Sequence, residues 1–370
     1  MKRIRRRSTQ MRFTKAVTAV AAGAVVALAL TSCSGGTDTA DGGSKGEIWY
    51  STKNSTELVH VAMAEGVTGA ADMLGYSGQV TVAEADASKQ NDQMNNLVQN
   101  IAPAAIVLNP YDSESVSDVI ERANTADIPI AVIDNKANNA TVDVSVLFDS
   151  VESGKKAGEE AIRLLEEKNG EPKGVVVNLY GELVSQVFKE RSEGFESVIK
   201  EYPDVELISV LGAPEADVAT SALNNVIADA KSSGKTIDLI NTPTDTATLG
   251  AIESLKTNNM WAKAGEDDHV AFISHDGLGE VLDLVEEGYI DVEVVIDVFG
   301  VGGIATEVLN AYPIAGEEVP TSGTFTPEGK YLNTEVTFTE GDSGPTIMLD
   351  PVVVTADDAD NPLIWGNSEG

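Results

Sequence analysis

Ala123-Asn124-Thr125-Ala126-Asp127-Ile128-Pro129-Ile130-Ala131-Val132-Ile133-Asp134 contains the end of a helix, a stop, a strand and a polar residue at the strand's tip. Upstream, Val116, Val119, Ile120 and Ala123 recur at the three- and four-residue spacing of one helical face. Pro129 cannot continue that helix, and it biases the residue before it towards an extended backbone. The four residues that follow are apolar at every position. A strand with one wet face would alternate, so this one is buried on both faces, as in a parallel sheet covered by helices.

The same unit recurs along the chain. Strands are expected at residues 48–51, 80–83, 105–108, 144–148, 174–179, 206–210, 238–241, 270–274 and 292–296 as well as 130–133, with amphipathic segments between most of them. Val59, Met63, Val67, Ala70 and Leu74 show the helical period in the first segment. Gly75, Gly170 and Gly234 follow three of the helices as stop signals. Strands alternating with helices define an α/β protein with parallel sheets covered on both faces. From Gly323 the alternation ceases. Short strands are expected at 334–338, 347–349 and 352–355, and Trp365, alone in a polar tail, is expected to pack back onto the body.

In open parallel sheets, ligands bind beyond the carboxyl ends of the strands. Here those ends read Thr52-Lys53-Asn54, Asn109-Pro110, Asp134-Asn135-Lys136, Asp149-Ser150, Tyr180-Gly181, Thr242 to Asp245, His275-Asp276-Gly277 and Asp297. Helix capping explains some of this polarity, since Asp, Asn, Ser and Thr are the preferred N-caps. Its recurrence at strand after strand favours a binding site.

The first residues carry a different message. Lys2, Arg3, Arg5, Arg6, Arg7, Arg12 and Lys15 precede an apolar run at 16–30, too short for a stable membrane span, that ends in Leu30-Thr31-Ser32-Cys33. This is the pattern of a bacterial lipoprotein signal. Residues 1–32 are expected to be removed, Cys33 to be lipidated as the first mature residue, and 33–46 to form a flexible tether. Each buried methylene of the lipid would contribute about 0.8 kcal/mol to anchoring. Cys33 is the chain's one cysteine, so no disulfide or thiolate metal site is expected. No later apolar stretch approaches spanning length, which places the body outside the membrane on the extracytoplasmic side. With 59 Asp and Glu against 25 Lys and Arg, the chain is a poor partner for nucleic acid or anionic lipid.

Catalytic signatures are missing. There is no Gly-x-Ser-x-Gly elbow, and the three histidines offer little to a triad or a metal centre. His60, within the first helix pattern, and His269, in an acidic turn, read as structural; His275 beside Asp276 is the candidate for ligand contact. Gly234-Lys235-Thr236 ends like a phosphate-binding loop, but Asp229 occupies the place of the earlier glycine. Gly300-Val301-Gly302-Gly303-Ile304-Ala305 fits a dinucleotide fingerprint, yet it comes near the end of the fold, with its acidic partner misplaced. No enzyme activity, cofactor or metal is expected.

Four stretches together carry a resemblance: Val107-Leu108-Asn109-Pro110, the 123–134 segment, Glu190-Arg191-Ser192-Glu193-Gly194-Phe195, and Phe272-Ile273-Ser274-His275-Asp276-Gly277. From about residue 48 to 315 the chain resembles the extracytoplasmic sugar-binding proteins of the ribose-binding type, which share their fold with sugar-responsive repressors. The resemblance implies a type I periplasmic binding protein: two doubly wound parallel-sheet lobes joined by three crossings, closing over a ligand. It implies an N-terminal lobe of 47–147 plus 299–325 and a C-terminal lobe of 148–298 plus 326–367. Carried over position by position, the ligand contacts would be Asp134, Asn135, Lys189, Thr244 or Asp245, Asp276 and Asp297, and Lys53 and Asn54 at the end of the first strand are further candidates. Asn135 and Lys189 stand where the family commonly has arginine, and Lys53-Asn54-Ser55-Thr56-Glu57-Leu58 replaces an aromatic run that stacks on the sugar. Tyr50, Tyr180, Phe188 and Phe299 are the remaining candidates for a platform. The implied role is that of a monomeric solute-binding lipoprotein delivering a sugar or polyol to the membrane permease of an ATP-driven importer. The alternative is a receptor for a furanosyl-type signal or a nucleoside, feeding an importer or a sensor.

Overall fold

The computed structural model describes residues 44–182, 185–213 and 215–368; the signal segment and Cys33 lie outside the described residues. The first lobe begins with β1 (Glu47–Thr52), α1 (Leu58–Met73), β2 (Ser77–Val82), α2 (Ala87–Asn96), β3 (Ala105–Leu108), α3 (Ser117–Thr125), β4 (Ile130–Ile133) and β5 (Val144–Phe148). Every residue of β3 and β4 is buried, as uninterrupted apolar runs between two helical layers require. On α3, Val119, Ile120 and Ala123 face inward, the stripe read from the 3.6-residue period.

The chain then builds a second sheet from α4 (Ser150–Asn169), β6 (Gly174–Tyr180), α5 (Gln186–Ile199), β7 (Val205–Leu211), α6 (Ala216–Ser232), β8 (Leu239–Asn241), α7 (Asp245–Thr257), β9 (Ala271–Asp276), α8 (Gly279–Glu286) and β10 (Val292–Val295). It returns to the first lobe through α9 (Val298–Ala311), which packs along α1. Four short strands follow: β11 (Thr324–Phe325), β12 (Val336–Gly341), β13 (Gly344–Leu349) and β14 (Val352–Val354). The strand orders are β11-β12-β13-β5-β4-β3-β1-β2 and β14-β10-β9-β8-β6-β7. All the pairs are parallel except β11–β12, β12–β13 and β10–β14. These are the two parallel-sheet lobes of a type I periplasmic binding protein.

The late strands correct the expected lobe boundary. Residues 326–367 do not stay with the C-terminal lobe, because β13 pairs with β5 and carries β12 and β11 into the first sheet. The reason is local. Ile347 and Leu349 are buried while Met348 between them is exposed, the period-two pattern of a strand with one face on a core, and here that core belongs to the first lobe. Only β14 and the tail join the second.

The chain passes between the sheets three times: between β5 and α4, between β10 and α9, and between β13 and β14. The passages are tied to one another. Asp149 N donates to Leu349 O at 3.1 Å. Asn333 ties the second passage to the third, donating from its backbone N to Asp297 Oδ2 at 2.8 Å and accepting from Asp350 N at 3.1 Å.

The Gly300–Ala305 run lies inside α9 and serves the contact with α1. A Cβ at Gly302 would stand 2.8 Å from Met63 O, and one at Gly66 on the facing helix 2.3 Å from Phe299 O. The glycines let two backbones approach and bury Val301, Ile304 and Val308 completely. Each such side chain is worth about 1.5–3 kcal/mol.

Candidate functional site

Two strand-end aspartates face each other across the interlobe cleft from unusual backbones. Asp134, after β4, has φ +61°, and Asp276, at the end of β9, has φ +110°. L-residues are rarely held there, and such strain costs on the order of 1–3 kcal/mol. The surrounding bonds enforce it. Asp134 Oδ2 accepts from Lys53 Nζ at 2.7 Å and from Asn109 Nδ2 at 3.1 Å. Burial alone would raise this carboxyl, but Lys53 and the Asn109 bond bring it below the ordinary carboxylate range. Asp276 Oδ1 accepts from Arg191 Nη1 at 2.8 Å, and the Asp276 carbonyl accepts from Trp365 Nε1 at 2.8 Å.

Behind Asp276 lies a second acidic layer. Asp245 Oδ1 accepts from Ser274 Oγ at 2.8 Å and its Oδ2 from Leu278 N at 2.6 Å. Glu293, buried on β10, accepts from Gly277 N at 2.9 Å. Burial first, and then the neighbouring Asp276, push Asp245 up to about 7. Burial and Asp245 push Glu293 well above the carboxylate range as well. Like charges this close cannot both be ionised cheaply, which adds to the preference of this pair for the protonated form. Together they pin the 276–278 turn from below.

A cavity of about 470 Å³ opens between these groups, a size typical of small-molecule sites. Asp134, Thr244, Asp245 and Asp276 line it, together with Arg191 and His60. Its apolar walls include Met63, Phe148, Phe188, Ile296 and Trp365. The polar groups are thus held between aromatic and aliphatic surfaces from both lobes.

Four candidates are placed elsewhere. Asn54 is spent on its own loop, where Oδ1 accepts from the backbone N of Thr56 and of Glu57, each at 3.1 Å. Asn135 donates to Pro110 O at 3.1 Å and does not line the cavity. Lys189 is half-exposed and points to Glu193 at 3.9 Å; Arg191, two residues on and one helical face away, is the buried cation that enters the cleft. Asp297 caps α9 by accepting from Gly300 N at 2.9 Å, and its other oxygen takes both nitrogens of Asn333. With both oxygens committed and the residue buried, Asp297 belongs to the hinge. Lys53 reaches the site only through Asp134.

The histidine readings also change places. His275 is buried, with Nδ1 bound to Thr242 O at 2.7 Å, whereas His60 lines the cavity. His275 is held near 3 by burial first and then by Arg191, so it stays neutral. Of the candidate platform aromatics, Phe188 lines the cavity, and Phe148 and Trp365 join it. Tyr50 is wholly buried in the core.

Residues 48–318 match the family model described as a periplasmic binding protein domain. The chain belongs to the periplasmic binding protein family, and within it to the ribose-binding type. Among its curated relatives, the ribose import binding protein of Escherichia coli is 26% identical over 62% of this chain and 71% of its own length. The xylitol-binding protein of Mycolicibacterium smegmatis is 26% identical over 75% of each. Among solved structures, a solute-binding protein of Bacillus halodurans with bound myo-inositol superposes with a TM-score of 0.65 at 23% identity, covering 88% of this chain and 100% of that one. A periplasmic ribose transporter protein of Conexibacter woesei gives 0.69 at 17%, covering 89% and 99%.

Proposed function

We propose that this protein is the solute-binding lipoprotein of an ATP-driven importer, tethered through Cys33 on the extracytoplasmic side, and that it captures a small neutral polyhydroxylated ligand, a sugar or polyol, for a membrane permease. The observation that carries this reading is the charge balance of the cleft. Asp134 is paired with Lys53, Asp276 with Arg191, and burial favours the protonated forms of Asp245 and Glu293, so the paired carboxylates keep their capacity to accept hydrogen bonds while little net charge is left to attract a cation. Charged acceptors make the stronger bonds to hydroxyls. On Asp134 both bonds fall on Oδ2, which leaves Oδ1 for a ligand. Relatives named for ribose, apiose and xylitol support the ligand class.

A second reading, a nucleoside or furanosyl-type signal, is favoured by the three aromatic side chains in the cavity wall. A thermal-shift screen of the purified protein against pentoses, hexoses, polyols, furanosyl compounds and nucleosides separates them. A ligand at a hundred times its Kd adds about 2.7 kcal/mol. A shift with sugars or polyols alone is expected. A shift with nucleosides alone would replace the first reading by the second.

A further inference from the structure

The last segment of the chain closes over the turn that carries Asp276. Within residues 361–367, Ile364 is wholly buried and Trp365 is 8% exposed. Asn367 folds the segment on itself: its Nδ2 donates to Ala359 O at 2.6 Å and to Asn361 O at 3.0 Å, and its backbone N to Ile364 O at 2.9 Å. Between the segment and the turn, backbone meets backbone. A Cβ at Gly366 would run into Gly277 O and Gly279 N, and one at Gly279 into Gly366 O.

What the segment grips is one peptide group. Asp276 ends β9, and its φ of +110° turns the chain out of the strand. Such a backbone persists only where its surroundings over-determine it. The planar unit between Asp276 and Gly277 is bonded at both ends. Trp365 Nε1 donates to the Asp276 carbonyl at 2.8 Å, and the Gly277 N–H donates to Glu293 Oε1 at 2.9 Å. Because the unit is planar, bonds at its two ends fix ψ of Asp276 and φ of Gly277 together. Glu293 lies within residues 48–318 that match the family domain, and Trp365 lies beyond them. The tail therefore supplies the carbonyl half of the grip.

We propose that residues 361–367 form a strap and that Trp365 is its positioning residue, whose indole N–H fixes the Asp276–Gly277 peptide and thereby the direction in which the Asp276 carboxylate meets the cavity. The strap acts on the protein with or without ligand; its effect on affinity rests on the sugar or polyol reading above. The indole N–H is the one hydrogen-bonding atom of tryptophan. Phenylalanine at 365 would keep a ring in the cavity wall, which Trp365 lines, and remove the grip.

Two measurements on the wild type, Trp365→Phe and a chain ending at Asp360 test this. The first is the amide resonance of Gly277 in the ligand-free protein. It is expected to be single and sharp in the wild type, and doubled or exchange-broadened in both variants as the peptide samples a second orientation. The second is calorimetry against ribose, xylitol and myo-inositol, beside chemical denaturation. Trp365→Phe should weaken the probe that the wild type binds by about two- to tenfold, the share of one neutral hydrogen bond. The shortened chain should lose more. Ile120→Val, a truncation in the core under α3, should lower stability and leave affinity alone. A sharp, single Gly277 resonance in folded Trp365→Phe overturns the strap whatever the ligand. Equal losses of affinity in Trp365→Phe and Ile120→Val at equal losses of stability overturn the positioning role. If the wild type binds none of the probes, the sugar and polyol reading falls, and the Gly277 resonance still decides the strap.

Discussion

Arg191 Nη1 lies 2.8 Å from Asp276 Oδ1 and 2.7 Å from the carbonyl oxygen of Pro243, so one buried guanidinium joins the cavity-lining carboxylate to the loop that leads into α7. Removing the cation would leave Asp276 facing Asp245 and Glu293 with nothing to offset it. Breaking a buried pair by deleting one partner typically costs about 3–5 kcal/mol. Arg191→Ala is expected to lower the urea-unfolding free energy by about 3 kcal/mol. Arg191→Lys should regain only part of it, because a single ammonium cannot reproduce the planar fork. A loss below about 1 kcal/mol for the alanine variant would contradict this account.

The raised proton affinity of Asp245 gives stability a definite pH slope. Asp245 titrates near 7 in the folded protein, against about 4 for an unperturbed aspartate. Its raised value means that the folded state holds the proton more tightly. The associated stability is complete below pH ~4 and drains away as pH climbs to about 7, at up to about 1.4 kcal/mol per pH unit. Asp245→Asn, whose amide oxygen still accepts from Leu278 N, should lack this decline. The quantity to follow is the difference in unfolding free energy between wild type and variant across that window; a difference independent of pH would refute the assignment.

Ligand capture and hinge integrity should separate by mutation. Asp134→Ala and Asp276→Ala each remove a charged acceptor from the cavity, and a loss of ten- to a hundredfold in affinity is expected from the roughly 1.5–3 kcal/mol such bonds contribute. Asp297→Ala removes the cap of α9 and the anchor of Asn333, so a stability loss of about 1–2 kcal/mol is expected. Isothermal titration beside chemical denaturation reads both. Asp297→Ala that destabilises nothing while abolishing binding would return Asp297 to the ligand.

Cys33→Ala should leave the precursor without lipid and shift the protein from membranes to the soluble extracytoplasmic fraction. Radiolabelled palmitate incorporation together with cell fractionation measures this. Membrane retention of an unlipidated variant would exclude the anchor.

The architecture was legible where strands are buried on both faces. The 105–108, 130–133 and 144–148 expectations coincide with β3, β4 and β5: the first two have no polar residue, the third only the small Ser145, and such a run has only one place in this fold. The site was legible in part. Asp134, Thr244, Asp245 and Asp276 reach the cavity, but capping and binding select the same residue types at strand ends, and pattern alone cannot separate Asp297, a cap, from Asp276, a wall. Arg191 was hidden for a different reason. It lies two residues from Lys189, and only the rotation of α5, fixed by the burial of Gly194 and Phe195 against α4, decides which of the two cations faces inward. That Trp365 packs back onto the body was legible from its polar surroundings, but its partner Asp276, 89 residues away in sequence, lies beyond the reach of any local pattern.

The fastening of the three passages to one another has a mechanical meaning. Three independent strands between two bodies would allow them to tilt, twist and slide; strands bonded at Asp149–Leu349 and through Asn333 behave as a single axle. These bonds oppose sliding and twisting more directly than rotation about the line that joins them. A molecule held in the cleft would then act on the outer surface by setting where that rotation stops, so that its dimensions would be converted into one angle.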